Sequence, residues 1–290
     1  MRVAAVMAVH DRCALTLECL DDLAAQRLPG GTLDIVVLDD ASTDGTAEAV
    51  ARRHPSVRLL HGDGNQYWSG GMRRALEAAM ADDYDYYLWM NDDTALVDDG
   101  VLAVLVRTEQ ELRERGHGPV IVVGTTRHPD TGEPTYGGRT RLDRRRRMKW
   151  TLVPPGDEPQ RCETMNGNVV LVSRAVVERI GNIDPAYVQQ MGDFDYGLRA
   201  GAAGCGIWVA PGTVGVCASH SRRRTDQEPL KRELGRLWSA KELAPRPWLV
   251  FAHRWAGRMW FVYWLSPYVR RGLALIVERT RVRSAVADVR

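Results

Sequence analysis

Seven apolar residues in a row, Val3–Val9, follow a single charged position. A run without polar alternation reads as a strand covered on both faces. Ala14–Gln26 then places Leu17, Leu20, Leu23 and Ala24 at helical spacing, and Pro29-Gly30-Gly31 closes that helix. Leu33–Leu38 is a second buried run. Ser42-Thr43-Asp44 offers caps for a helix through Arg53. Val57–Leu60 predicts a third strand, Gly70–Ala81 a third helix and Tyr86–Met90 a fourth strand. Val97–Arg115 predicts a helix and Val120–Val123 a fifth strand. Alternating strands and helices imply an α/β fold, a mostly parallel central sheet flanked by helices. Ligands of such sheets bind beyond the carboxyl ends of the strands. That rule singles out His10-Asp11-Arg12, Asp39-Asp40 and Asn91-Asp92-Asp93, each just after a buried run.

The rhythm breaks after residue 124. Residues 125–165 are rich in Gly, Pro and Arg, including Arg144–Arg147, and read as a hairpin-like excursion. Strand character resumes at Gly167–Val172. Arg174–Ile180 and 193–203 read as helices, Ile207–Ala210 as a strand, and the chain from about 223 as helical. The division expected is a first unit over 1–222 and a helical C-terminal extension over 223–290.

Composition narrows the class. The chain has 290 residues, 44% of them hydrophobic, with 39 basic and 37 acidic side chains and a net charge of +2. That balance gives no case for a nucleic-acid partner. Five cysteines without a CxxC pair speak against structural zinc or a disulfide framework and for a reducing, cytoplasmic setting. The N-terminal apolar run is too short for a signal sequence, and no stretch of 18 uncharged apolar residues predicts a membrane span.

Five constellations can carry chemistry. Asp39-Asp40 at a strand end suit hydrogen bonding to a ligand, whereas Asp44 reads as a helix cap. Asn91-Asp92-Asp93 suit a hard divalent cation shared with substrate phosphates. Asp193 and Asp195 begin a predicted helix. One carboxylate suffices for capping, so the other asks for a role, such as general base. His220 follows the last core element, where neutral imidazole could reach a metal. Gly62–Arg73, with Asn65, Trp68, Gly70 and Gly71, opens a helix and suits an anion. It is not a P-loop, and GxGxxG is absent, which disfavours a dinucleotide fold.

In order and spacing these segments resemble family 2 glycosyltransferases of the GT-A fold over roughly residues 1–222. Tyr67–Met72 and the helical tail look most like bacterial rhamnosyltransferases of polysaccharide assembly. The resemblance implies an inverting transferase moving a sugar from a nucleotide-sugar donor, dTDP-rhamnose or a UDP-sugar, to a glycan, lipid-linked or small-molecule acceptor. It implies Mg²⁺ or Mn²⁺, held by Asp93 with His220. It gives donor binding to Ala8, His10, Arg12, Asp39, Asp40, Asn65, Trp68, Gly70, Gly71 and Asp92. Asn166, Gly167 and Asp195 fall to the acceptor, and Asp193 to the catalytic base. Two departures stand out. Gly192 precedes Asp193 where the family often has Glu, and Asn91 holds the first position of the metal motif. They support one rival, a nucleotide-sugar-binding protein without activity; a second rival, a sugar nucleotidyltransferase, usually carries a Gly-rich, Arg/Lys-containing loop after the first strand, which His10-Asp11-Arg12-Cys13 does not supply.

The tail segment Trp248–Tyr268 mixes Trp, Phe, Tyr and Met with His253, Arg254 and Arg258. Three roles stay open for it: packing on the catalytic unit, a homodimer interface, or peripheral contact with the inner face of a membrane. Trp255 is expected to pack, and Trp260 and Trp264 to face an interface.

Overall fold

The computed structural model describes residues 1–143, 148–218 and 244–287, the last fourteen of them by backbone alone. His220 and Arg144–Arg147 lie outside the described residues. The first half follows the hydrophobic pattern: β1 (Arg2–Val9), α1 (Cys13–Ala24), β2 (Thr32–Asp39), α2 (Thr46–Arg53), β3 (Arg58–His61), α3 (Tyr67–Met80) and β4 (Tyr86–Met90). Then come β5 (Ala95–Leu96), α4 (Val101–Glu114) and β6 (Val120–Val123). The α4 helix starts later than its apolar pattern. Asp98 accepts the Gly100 N–H and folds a turn ahead of it.

The central sheet has eight strands. Their order from one edge is β3, β2, β1, β4, β13 (Val169–Ser173), β6, β14 (Gly206–Val209) and β11 (Gln160–Arg161). Strands β1 to β4 run parallel, as do β6 and β14. The sheet is mostly parallel as expected, but the edge strand β11 lies antiparallel to β14, and β13 antiparallel to both β4 and β6. The cause is the excursion. No crossover helix follows β6, so the chain re-enters the sheet from the edge where β6 ended and must run back. The excursion carries β7 (Thr126–Arg127), β8 (Pro134–Tyr136), β9 (Gly138–Arg141), β10 (Trp150–Leu152), β11 and β12 (Thr164–Met165). Strands β10, β9 and β12 form a small sheet. Another joins β5, β15 (Gly215–Val216), β7 and β8.

The unbroken apolar runs are explained by cover on both faces. Ala4 and Val6 of β1 face Met72, Ala75, Leu76 and Ala79 of α3, in a layer shared with α5 (Arg174–Ile180) and α6 (Gly192–Ala202). Val3, Ala5, Met7 and Val9 face α1, α2 and α4. Chain order reverses between β1 and β4, because β2 and β3 lie on one side of β1 and β4 on the other. Strand ends splay apart at such a switch point and leave a crevice.

The extension consists, where described, of α7 (Pro245–Trp255), a short 3-10 turn and α8 (Trp260–Ala287). Trp248 and Phe251 of α7 are buried with Tyr187 and Leu198. Trp255 packs as expected, its indole N–H donating to Asp195 at 2.9 Å. Trp264 also packs, donating to the Pro245 carbonyl at 3.2 Å, which corrects its expected place at an interface. The face left exposed on α8 is instead Phe261, Leu265, Val269 and Leu273, at four-residue spacing. Among the described residues, no helix is long and apolar enough to cross a membrane.

Gly71 sets how closely α3 lies on the sheet. A Cβ there would fall 2.7 Å from Ala8 Cβ and 3.0 Å from Leu38 Cδ2. We predict that Gly71→Ala costs about 1–3 kcal/mol through overpacking, read from the urea midpoint. An unchanged midpoint would show that α3 shifts freely.

Candidate active site

The crevice at the switch point is a cavity of about 790 Å³. Its walls come from the ends of β1 (Ala8, His10, Arg12) and β4 (Asn91, Asp92, Asp93), and from the start of β13 (Asn166, Gly167, Asn168). The starts of α3 (Tyr67, Trp68) and α6 (Met191, Asp193) complete them, with Asp40, Gly64, Tyr136 and Gln189 among the other lining residues. Ten of the expected site residues thus share one space: Ala8, His10, Arg12, Asp40, Trp68, Asp92, Asp93, Asn166, Gly167 and Asp193. Asp39, Asn65, Gly70, Gly71 and Asp195 do not line it.

Each exclusion has a physical reason. Asp39 is buried and turned onto Ser42, accepting from its hydroxyl and its N–H. Asn65 lies in a local turn, its N–H donating to Asp63 Oδ1 at 3.1 Å. Gly70 is buried and donates its N–H to the Val188 carbonyl at 3.0 Å, and Gly71 faces the sheet. Asp195 is fully buried. Its Oδ1 accepts from Arg254 at 2.7 Å, Trp255 at 2.9 Å and Tyr187 at 3.1 Å, and its Oδ2 accepts from Arg199 at 2.8 Å. Residues two apart on a helix point in widely different directions. On α6, Asp193 therefore meets the cavity while Asp195 meets the tail.

Asp40 lines the cavity, but its carboxylate already has partners. Oδ1 accepts the Gly64 N–H at 2.9 Å. Oδ2 accepts those of Gln66 and Tyr67 at 3.0 and 2.9 Å. The Trp68 N–H goes to Gln189 Oε1 at 2.9 Å. The orphan donors that open α3 are thus satisfied from distant parts of the chain, and the helix begins three residues before its apolar pattern. Asp44 stands one place before the N-cap of α2, which is Gly45 and not the expected Asp44; its carboxylate takes the Thr46 N–H at 3.1 Å and the Cys13 N–H of α1 at 2.9 Å.

The metal-motif segment is acidic and nearly enclosed. Arg12 Nη1 donates to Asp92 Oδ1 at 3.1 Å and to Asp93 Oδ2 at 2.8 Å. Burial raises the Asp92 carboxyl to about 6; Arg12 pulls it back and Asp93 pushes it further up. The Cys217 thiol lies 3.6 Å from Asp93 Oδ1, and burial raises it to about 12. The Asn91 side chain is turned to another task. Its amide oxygen accepts the Trp68 indole N–H at 2.7 Å and so fixes that ring at the cavity wall.

Asp193 is held differently. Oδ1 accepts the Phe194 N–H at 2.8 Å and Oδ2 the Gly167 N–H at 3.1 Å. Burial nevertheless raises its carboxyl to about 6, against these bonds and the more remote charge of Arg139. Gly192 before it has no space for a side chain: a Cβ would meet Ser69 Oγ at 2.5 Å. The missing glutamate follows from how tightly α6 abuts α3.

Among the described residues, four non-glycine residues have left-handed backbones: Asp11, Ala41, Tyr67 and Met191, at φ of 49°, 56°, 51° and 70°. Tyr67 and Met191 line the cavity, and Asp11 and Ala41 follow β1 and β2 at the same edge. Strain gathered in this way is common where a site overrules local preference. Tyr136, Gln189 and Asn168 were not expected in the wall. Tyr136 ends the short strand β8 and Gln189 sits in an irregular segment, neither with a periodic or motif signal.

Comparison with known proteins agrees with this geometry. The family model described as glycosyl transferase family 2 matches residues 4–179, and the chain belongs to that family. It is a glycosyltransferase of GT-A type. An N-acetylglucosaminyl-diphospho-decaprenol L-rhamnosyltransferase of Mycobacterium tuberculosis is 27% identical over 218 residues, 66% of this chain and 69% of that one. The galactofuranosyltransferase GlfT2 of Mycolicibacterium smegmatis is 24% identical over 241 residues, 73% of this chain and 36% of that one. In fold the chain is similar to the mannosyltransferase PcManGT of Pyrobaculum calidifontis, solved with GDP-Man and Mn²⁺. The TM-score is 0.54 at 18% identity, over 77% of this chain and 58% of that one.

We predict that Asp40→Asn, which exchanges a charged acceptor of three N–H bonds for an amide, costs about 1.5–3 kcal/mol in urea unfolding. It should also speed amide exchange at Gly64, Gln66 and Tyr67. Unaltered exchange at these three amides would rule out the capping role.

Proposed function

We propose that the chain transfers a sugar, with inversion, from a nucleoside-diphosphate donor to a hydroxyl of a lipid-linked glycan acceptor. The observation that carries this reading is the pair of environments in one cavity: a carboxylate couple bridged by a guanidinium, and a separate carboxylate held by backbone N–H groups. The mycobacterial relative, by its name a rhamnosyltransferase acting on a diphospho-decaprenol substrate, supports dTDP-rhamnose as the first donor to try and UDP-sugars next.

The residues present fit a divalent cation. Asp92 and Asp93 offer hard oxygens that already converge on one cationic nitrogen. Among the described residues no group of three or more His, Cys, Asp or Glu forms a metal cage. Mg²⁺ and Mn²⁺ are commonly held by one or two carboxylates together with substrate phosphates. The Mn²⁺ and GDP-Man of the similar fold support the same pairing. A cation bound there would neutralise charge on the departing diphosphate. Asp93 is its proposed holder, and His220 a second ligand from outside the described residues.

The protein's own part is positional and basic. Ala8, His10 and Trp68 shape the donor side of the cavity, and Asn166 and Gly167 the acceptor side. Asp193 takes the proton from the acceptor hydroxyl as its oxygen attacks the anomeric carbon. The bond from that carbon to the diphosphate oxygen breaks, and its electron pair leaves with the diphosphate. One base and one displacement give inversion. A carboxyl near 6 is ionised at neutral pH yet basic enough to assist.

A lipid-linked acceptor implies a surface, and α8 offers one. Phe261, Leu265, Val269 and Leu273 are exposed on it. From Ala244 to Val277 the chain carries no Asp or Glu and, besides Arg254 paired inward with Asp184 and Asp195, Arg246, Arg258, Arg270 and Arg271. That charge complements an anionic lipid surface, with the apolar face entering the headgroup layer.

Three outcomes are expected. Asp193→Asn should keep donor affinity by calorimetry and lose transfer by about 10²–10⁴-fold. In the parent protein, kcat/KM should fall about tenfold per pH unit below about 6, as Asp193 gains its proton. Near-normal turnover of the variant would remove Asp193 from the mechanism. The double variant Leu265→Asp, Val269→Asp should float poorly with phosphatidylglycerol vesicles at an unchanged melting temperature. If the parent protein itself fails to float, the membrane contact is wrong.

A further inference from the structure

Arg12 stands just beyond β1 and reaches residues eighty positions away. A single nitrogen contacts both carboxylates of the metal motif, at 3.1 Å for Asp92 and 2.8 Å for Asp93. The two acidic side chains are only 7% and 9% exposed, while that of Arg12 is 40% exposed. Arg12 is also the sole arginine or lysine among the described residues lining the cavity. The place assigned above to a divalent cation therefore already holds a positive charge.

The physical need is plain. Two adjacent buried carboxylates repel each other and require a counter-charge. A guanidinium and a divalent cation cannot both sit within about 3 Å of the same oxygens without strong repulsion. Metal entry must then be coupled to guanidinium exit. The half-exposed Arg12 side chain has room on its solvent side. A diphosphate would give it a new partner, since the guanidinium fork matches phosphate oxygens.

We propose that Arg12 is a resident counter-cation. It fills the metal seat in the donor-free protein, yields it to the divalent cation when a nucleoside diphosphate arrives, and then pairs with the phosphates. Metal and diphosphate binding are thereby made mutually dependent. The proposal rests on the metal and donor reading given above, and adds to it the residue that sets the order of binding.

Mn²⁺ uptake followed by electron paramagnetic resonance tests this without turnover. The parent protein, Arg12→Gln and Arg12→Lys are titrated with Mn²⁺ alone and again with saturating dTDP or UDP. The parent should bind Mn²⁺ alone weakly, and at least tenfold more tightly with a diphosphate. Arg12→Gln should bind Mn²⁺ alone at least tenfold more tightly than the parent and gain less from the nucleotide than the parent does. Arg12→Lys keeps the charge and should stay close to the parent without nucleotide. If Arg12→Gln binds Mn²⁺ alone no better than the parent, while the parent still takes it up with nucleotide, the counter-cation role is wrong and the metal reading stands. The role is equally overturned if Arg12→Lys behaves like Arg12→Gln. Absence of Mn²⁺ uptake by all three proteins under every condition overturns the metal reading and this proposal together.

Discussion

A carboxylate removed from water must find a counter-charge or a set of N–H donors, and that requirement organises this molecule. The carboxyl edge of the sheet carries an unusual density of aspartates, and each is answered in its own way. Asp40 gathers three amides and thereby opens α3. Asp92 and Asp93 share one arginine. Asp195 collects two guanidinium groups, an indole and a phenol. Asp193 is bonded by two backbone amides. The first two solutions build the crevice, and the third ties α6 to the tail. The fourth leaves a side chain whose proton affinity lies close to neutrality.

The sheet makes the edge possible. Both of its faces are buried under helices, so strand interiors have no room for chemistry. Polar groups concentrate where strands end. The reversal of chain order beside β1 opens the gap there, and the returning β13 brings Asn166, Gly167 and Asn168 to the same rim. A parallel β13 would start from the opposite edge and carry those residues away from the site. The antiparallel strand is thus a functional feature of the topology.

Much of this was legible in the residues. Unbroken apolar runs located the core strands because two-sided burial removes alternation. Asp92, Asp93, Asp193, Arg12 and Trp68 were found because strand ends and helix starts are visible as local pattern. What stayed hidden depends on contacts distant in the chain. Asp40 and Asp195 look like ligand contacts in sequence. Their backbone and side-chain partners lie 24–27 and up to 60 residues away. The direction of β13 follows from a missing crossover helix, which no local window records. Gln189 belongs to an irregular segment and Tyr136 to a three-residue strand of the excursion, and their place in the wall is set by tertiary packing.

The Asp195 cluster bears on how the chain can be divided. A boundary drawn after residue 222 is natural by motif, but it is not a boundary in energy. Severing the tail there would take Arg254 and Trp255 away from a fully buried carboxylate on the helical turn that carries Asp193. The first unit therefore shares a buried charge cluster with the tail. In a chimaera, a transplanted tail is compatible only if it delivers a cation and an indole-like donor to that one interior point. Modularity here is a matter of charge complementation, and segment length comes second.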